Sequence, residues 1–146
     1  MADPASAEAA TAMPAGRRRP ALTSGPGRLL LFFYGLLAVA ATGRSAFQLS
    51  TKFHDAPTAY LLSAVAAVIY IAAFVALVRH ARTVAVVACS IELIGVLVVG
   101  TVSYAVPHDF PDATVWSGYG RGYYFLPAVL PVLALLWLRR VPPQPA

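Results

Sequence analysis

The chain has 146 residues, of which 59% are hydrophobic and only 12% are charged, and its mean hydropathy is +0.70. A soluble domain carries about 25% charged residues, so this composition indicates a membrane protein. The net charge is +5, but the basic residues flank apolar blocks and do not follow one solvated face, which argues against a nucleic-acid partner. The single cysteine, Cys89, excludes an intramolecular disulfide and a cysteine-rich zinc site.

The two ends of the chain carry no pattern that could build a core. Residues 1–28 are rich in Ala, Pro, Ser and Gly, which predicts a disordered cytoplasmic tail, and residues 141–146 form a short proline-rich tail. An alternative interpretation makes the arginines at 17–19 and the apolar run from residue 29 a secretory signal cleaved near residue 41, with an arginine pair suited to twin-arginine export. We favour an uncleaved first span, because the basic region is long for a signal and cleavage would remove one span.

Four apolar blocks lie between these ends, at residues 29–48, 59–78, 83–105 and 122–138. Each approaches the roughly 20 residues that a helix needs to cross the hydrocarbon core. Alternation of period two is absent, so membrane β-strands are not indicated. The sequence predicts an all-α membrane protein in which residues 29–140 form four transmembrane helices in an up-down bundle.

The basic residues predict the orientation of this bundle. Eight of the eleven lie before the first block, between the second and third, or after the fourth: Arg17, Arg18, Arg19, Arg28, Arg79, Arg82, Arg139 and Arg140. The other side receives only Arg44, Lys52 and Arg121. The positive-inside rule then places both termini in the cytoplasm of a multi-pass plasma-membrane protein.

One carboxylate, Glu92, interrupts the third block. At 100° per residue it shares a face with small residues, so the pattern predicts that Glu92 points into the bundle. Counting from the inner helix ends places Tyr70 at nearly the same level, which makes a Tyr70 to Glu92 hydrogen bond an expectation. Arg44 lies roughly 9 Å higher, where an interfacial anchor is favoured over a buried pair with Glu92.

Two roles for Glu92 remain open. A protonated Glu92 can act as a hydrogen-bonding clasp between helices, and we favour this interpretation. The alternative is a proton or cation relay, because ionisable groups inside a membrane often carry function. No second acid or histidine lies in any predicted span, which weakens the case for a relay.

The two outer loops, near residues 49–58 and 106–122, hold most of the remaining polar chemistry. Each contains a His-Asp pair, so a metal site is conceivable, although solvated loops are favoured. Asp112 is predicted to cap a short interfacial helix over 113–116. The candidate metal ligands are His54, Asp55, His108, Asp109 and Asp112.

The second loop also carries aromatic and glycine residues that the bilayer alone does not require. Trp116 is expected at headgroup depth, and the loop breaks at Gly118, Gly120 and Gly122. We consider this loop a candidate docking surface, with simple membrane-belt residues as the alternative. Its candidate residues are Trp116, Tyr119, Gly120 and Arg121.

Two stretches carry a family likeness. TKFHDAPTAYLLSA at residues 51–64 and FPDATVWSGYGRGYYFLPAVLP at residues 110–131 resemble small four-span integral membrane proteins of high-GC actinobacteria. This resemblance implies a topology and no mechanism. IELIGVLVVG at residues 91–100 is similar to the Glu-then-glycine helix of DoxX-like membrane proteins, where the motif belongs to an earlier span.

The sequence therefore favours a non-catalytic accessory or partner subunit of the plasma membrane. Nucleophile motifs and Gly-rich phosphate loops are absent, and no cofactor is indicated. The expected partners are the lipid bilayer and either another membrane protein or a second copy of the chain. The alternatives are a small proton-linked or metal-handling transporter using Glu92 or the His-Asp loops, and an outer-leaflet enzyme.

The predicted orientation can be tested by cysteine labelling. Cysteines placed at Ser24 or beside Arg82 should resist a membrane-impermeant thiol reagent in intact cells, while a cysteine replacing Ser117 should react. Labelling beside Arg82 from outside would contradict the four-span topology.

Overall fold

A computed structural model describes residues 25–107 and 112–140, and these residues are mainly helical. The three long helices are α1, Gly25–Thr51, α2, Pro57–Val78, and α3, Arg82–Ala105. A 3₁₀ helix, Ser117–Tyr123, then precedes a shorter α4, Leu126–Arg140. The described part of the chain contains no strand, in agreement with the predicted fold class.

The lengths of the helices suit a membrane. The helices α1, α2 and α3 are each long and apolar enough to cross it. The 3₁₀ helix and α4 are bent by 97° relative to each other, and they make a fourth span if the pair is counted as one. By itself α4 has 15 residues and a length of about 22 Å, less than the roughly 30 Å of hydrocarbon. The described chain is therefore that of a multi-pass membrane protein with three spanning helices, or four if the bent pair crosses as one.

Small side chains bring the helices together. Ala41, Ala66 and Ala73 are fully buried, whereas large apolar residues such as Val39 and Ile94 are mostly exposed. Small residues inside the bundle and large apolar residues on its surface are typical of helices that pack closely in lipid. Helices that follow each other in sequence pack most extensively, while α1 and α4 make the weakest helix contact. An apolar groove lined by Leu29, Phe33, Leu133 and Trp137 lies between them.

The turn between α2 and α3 is tight. α2 ends at Val78, and the amide of Ala81 donates back to the carbonyl of Ala76 at 2.9 Å. His80 has φ of 56°, a left-handed conformation that usually favours glycine. This turn sets α3 directly beside α2, as the short predicted loop required.

Several predicted boundaries need correction. The first three helices contain the predicted spans and are slightly longer, but the fourth begins at Leu126 and not at residue 122. The predicted helix over 113–116 is wrong, because these residues form bends and irregular backbone. Most of the predicted N-terminal tail, residues 1–24, and all of the C-terminal tail, residues 141–146, lie outside the described residues.

Candidate functional site

A buried polar centre lies between α1 and α3. Glu92 is 0% exposed, and the Tyr34 hydroxyl of α1 donates to its Oε2 at 2.8 Å. Cys89 lies one turn below Glu92, with its Sγ 3.3 Å from the Tyr34 hydroxyl oxygen. Because the single Tyr34 proton points to Glu92, the Cys89 thiol is the donor in this second contact. The chain Cys89 to Tyr34 to Glu92 ties the two helices together.

Tyr70 of α2 has a different partner from the predicted one. Its hydroxyl oxygen accepts the indole N–H of Trp116 at 3.1 Å and makes no direct hydrogen bond to Glu92. The expectation of a Tyr70 to Glu92 bond was therefore wrong. Counting residues along the helices gave the correct level but could not show that the outer loop reaches Tyr70.

Trp116 is buried inside the bundle and does not lie at headgroup depth. Only 4% of its surface is exposed, and a Cβ added at Gly95 of α3 would lie 2.7 Å from its ring. Gly95 is ten residues from the outer end of α3, which places the indole about 15 Å below that end. We call residues 112–125 the plug, because they fold from the Ala105 end of α3 into the bundle.

Tyr119 packs against α3 nearer to its Ala105 end than Trp116 does. A Cβ at Gly100 would lie 2.5 Å from the Tyr119 ring, and the Tyr119 hydroxyl is 3.1 Å from the Thr101 hydroxyl. The two glycines of GVLVVG thus leave room for one aromatic ring each. Such close approaches require glycine, since any side chain would occupy the position of the ring.

The backbone of the plug is left-handed at three consecutive residues, Gly118, Tyr119 and Gly120. At Gly120, φ is 80° and an added Cβ would lie 2.6 Å from the Pro127 ring. Replacement of Gly120 by valine would therefore strain the backbone of the loop itself. A loss of binding in such a variant could not be assigned to the loss of a docking surface. Arg121, the fourth predicted surface residue, is exposed.

Side chains close the turns within the plug. The Thr114 hydroxyl oxygen accepts the amides of Trp116 at 3.1 Å and Ser117 at 2.9 Å. The Ser103 hydroxyl of α3 accepts the amide of Gly118 at 2.9 Å. Thr114 thus closes the turn before the 3₁₀ helix, and Asp112 has no helix over 113–116 to cap.

Asp112 and Arg44 hold the plug at the outer rim. The Tyr60 hydroxyl of α2 donates to Asp112, and the Arg44 guanidinium donates to the carbonyl of Ala113. Arg44 also donates to Gln48 Oε1 at 3.4 Å. Arg44 therefore neither pairs with Glu92 nor acts as a simple lipid anchor.

The predicted metal ligands are not assembled in the part of the chain that the structure describes. Within residues 25–107 and 112–140, no three His, Cys, Asp or Glu side chains could hold a metal ion. His54 and Asp55 lie in the exposed turn before α2, and Asp112 is bound to Tyr60. His108 and Asp109 lie outside the described residues.

Sequence reasoning missed Tyr34, Gly95 and Gly100 as parts of the site. Tyr34 lies nine residues into α1, a depth comparable with that of Glu92 in α3. The predicted first span began at residue 29, so counting from its end placed Tyr34 about 6 Å too low to be selected. The glycine pair carried a weaker signal, a five-residue spacing on an otherwise bulky helix.

Comparisons with known proteins add no relative. No protein-family model matches the chain, and no curated protein or solved structure is significantly similar to it.

The seat of Trp116 can be tested by adding one methyl group. Gly95→Ala places a Cβ against the indole, and overpacking of this kind costs about 1–3 kcal/mol. Gly43→Ala is the matched control, because Gly43 also lies inside a helix but has open space around it. Both variants gain the same helix propensity, about 1 kcal/mol, so their difference isolates the clash.

The measurements are the free energy of unfolding in mixed micelles and the tryptophan emission of a Trp137→Phe background. We expect Gly95→Ala to be less stable than Gly43→Ala and to shift Trp116 emission to the red. Equal stability and unchanged emission in both variants would contradict a buried Trp116.

Proposed function

We propose that the protein is a non-catalytic partner subunit of the plasma membrane, with both termini in the cytoplasm. The supporting observation is the junction between the plug and α4, residues Tyr124 and Phe125. Tyr124 is 92% exposed and Phe125 is 48% exposed, although this junction lies at membrane depth.

The depth of the junction follows from helix lengths. Leu126 is fourteen residues above Arg140, which places it about 21 Å above the inner end of α4. In a hydrocarbon core roughly 30 Å thick, Tyr124 and its irregular backbone then lie inside the outer leaflet. Non-helical backbone is tolerated at such depth only where protein or a water-filled cavity covers it.

The backbone of the junction is also strained. Tyr124 has φ of 54° and Phe125 has φ of 60°, left-handed conformations that are uncommon for aromatic residues. The amide of Phe125 donates to the carbonyl of Gly120 at 3.0 Å, which holds the pair in place. Backbone strain of this kind is concentrated at binding sites, where the contacts of the displayed side chains offset its energetic cost.

The occupant that suits this surface is a transmembrane helix of another membrane protein. Below the junction, Val129, Leu133 and Leu136 are exposed at helical spacing on one side of α4. Leu133 and Leu136 also line the apolar groove beside α1. One long apolar helix could cover both the groove and the junction, while a compact ligand could cover only one.

Site-specific photo-crosslinking in native membranes tests this proposal. A photoreactive phenylalanine analogue at Tyr124 should give a single protein adduct, because a partner helix holds one register. The matched control is Val39, which is 74% exposed on α1 and should give mainly lipid adducts. Tyr124→Lys should release the crosslinked protein from detergent complexes while leaving membrane insertion intact.

The outcomes at Tyr124 are distinct. An adduct of twice the monomer mass would identify a second copy as the occupant in place of another protein. Lipid adducts alone, as at Val39, would overturn the partner-subunit proposal.

The proposed orientation is tested by cysteine labelling. In that test Lys52→Cys is a better outer position than a cysteine at Ser117, because Ser117 is half-buried in the plug.

One observation favours the second candidate, a proton-linked transporter. Glu92 Oε1 is buried and, among the described residues, accepts no hydrogen bond. A clasp requires only Oε2, whereas a proton carrier needs a carboxyl oxygen that can change partners. The outer-leaflet enzyme stays a prediction.

Glu92→Gln separates the clasp from the carrier. The amide oxygen can still accept from Tyr34, so a clasp keeps its stability, whereas a carrier loses the titrating proton. Glu92→Leu leaves the Tyr34 hydroxyl without its acceptor, which costs about 1–3 kcal/mol. We expect Glu92→Gln to retain the complex crosslinked through Tyr124 and Glu92→Leu to unfold at a lower temperature.

The opposite pattern would favour the transporter. If Glu92→Gln abolished proton uptake by reconstituted vesicles with unchanged thermal stability, Glu92 would be a carrier. That result would leave the crosslinking test at Tyr124 unaffected.

A further inference from the structure

We propose that Tyr70 and Glu92 bind one water molecule between them at the centre of the bundle. Two unsatisfied groups point to this site. Glu92 Oε1 accepts no hydrogen bond from any described residue, and the Tyr70 hydroxyl proton has no acceptor among the same residues. Both side chains are 0% exposed, so bulk solvent satisfies neither.

Hydrogen-bond donors reach Glu92 and Tyr70 from two different sides. On one side, Cys89 donates to Tyr34 and Tyr34 donates to Glu92 Oε2. On the other side, Trp116 donates to Tyr70, which leaves the Tyr70 proton free to donate onward. Glu92 Oε1 has no partner among the described residues, either as an acceptor or, when Glu92 is protonated, as a donor, so this oxygen and the Tyr70 proton are both left unpaired.

The two groups share one region of the bundle. Tyr70 lies eight residues above Val78, or about 12 Å, and Glu92 lies ten residues above Arg82, or about 15 Å. Trp116 links them physically, because its N–H contacts Tyr70 while its ring covers Gly95, three residues above Glu92.

A bridging water can satisfy both groups where a direct bond is not made. Tyr70 and Glu92 lie at similar levels of α2 and α3 without a direct hydrogen bond, and one water can accept from Tyr70 while it binds Glu92 Oε1. Buried waters typically make two to four such bonds and satisfy groups that would otherwise be unpaired. An unpaired buried polar group costs about 1–3 kcal/mol, so the water would stabilise the bundle on both sides.

Other titratable groups face the same centre. Tyr34 comes from α1, Cys89 from α3, and Tyr123 of the 3₁₀ helix lies near Tyr70 without a hydrogen bond to it. The buried residues of α4 carry no titratable side chain. A water at this place would complete one hydrogen-bonded chain from Trp116 to Cys89 through all three long helices.

The test is a crystal structure of the full chain, grown in a lipid mesophase, at a resolution that shows ordered waters. We expect one density peak about 2.7–3.2 Å from both Glu92 Oε1 and the Tyr70 hydroxyl oxygen. Tyr70→Phe should lose this peak, because the ring stays but the donor is removed. Tyr34→Phe is the matched control and should keep it, because Tyr34 binds Oε2 and not Oε1.

A measurement in solution does not depend on crystals of the variants. In infrared spectra, replacing H₂¹⁶O by H₂¹⁸O should shift a sharp O–H band of the wild type and of Tyr34→Phe, and the band should be lost in Tyr70→Phe. The proposal is overturned if no peak appears, if the peak contacts only one of the two groups, or if Tyr70 donates directly to Glu92. An isotope-sensitive band that survives in Tyr70→Phe would also overturn it.

Discussion

The position of Trp116 is the constraint on which the rest of this structure depends. An indole placed about 15 Å below the outer end of α3 needs an acceptor for its N–H and a helix surface without a side chain. Tyr70 supplies the acceptor and Gly95 supplies the space. The plug occupies the Ala105 end of the bundle and α4 the other end, and the chain bends by 97° between the 3₁₀ helix and α4.

Polar groups connect the helices at two levels. At the rim, Tyr60 and Arg44 hold the start of the plug, and at the centre Tyr34 donates to Glu92 and Trp116 donates to Tyr70. Each of these bonds joins different helices or joins a helix to the plug. In hydrocarbon the hydrophobic effect does not drive helices together, so packing and such bonds carry the specificity. A partner subunit and a bridging water are compatible with this arrangement. The partner would bind the lipid-facing surface of the bundle, and the water would bind in its interior.

The helices could be predicted well from the sequence, and the site only in part. Apolar length gave α1 to α3 within a few residues, and the spacing of small residues placed Glu92 on the buried face of α3. The plug could not be predicted, because hydropathy and helical period say nothing about where an irregular loop folds. Trp116 looked like a headgroup residue since tryptophan is common there, and its burial against Tyr70 and Gly95 became visible only in the structure.

The short fourth helix also has a consequence for biogenesis. A segment of 15 residues that contains two prolines gives the translocon a weaker insertion signal than the three long helices before it. Its entry into the bilayer is favoured once α3 is present, because the seats at Gly95 and Gly100 stabilise the plug from which α4 continues. The C-terminal end of the protein would then reach its final topology after the first three helices have assembled, so loss of the plug would act on insertion as well as on stability.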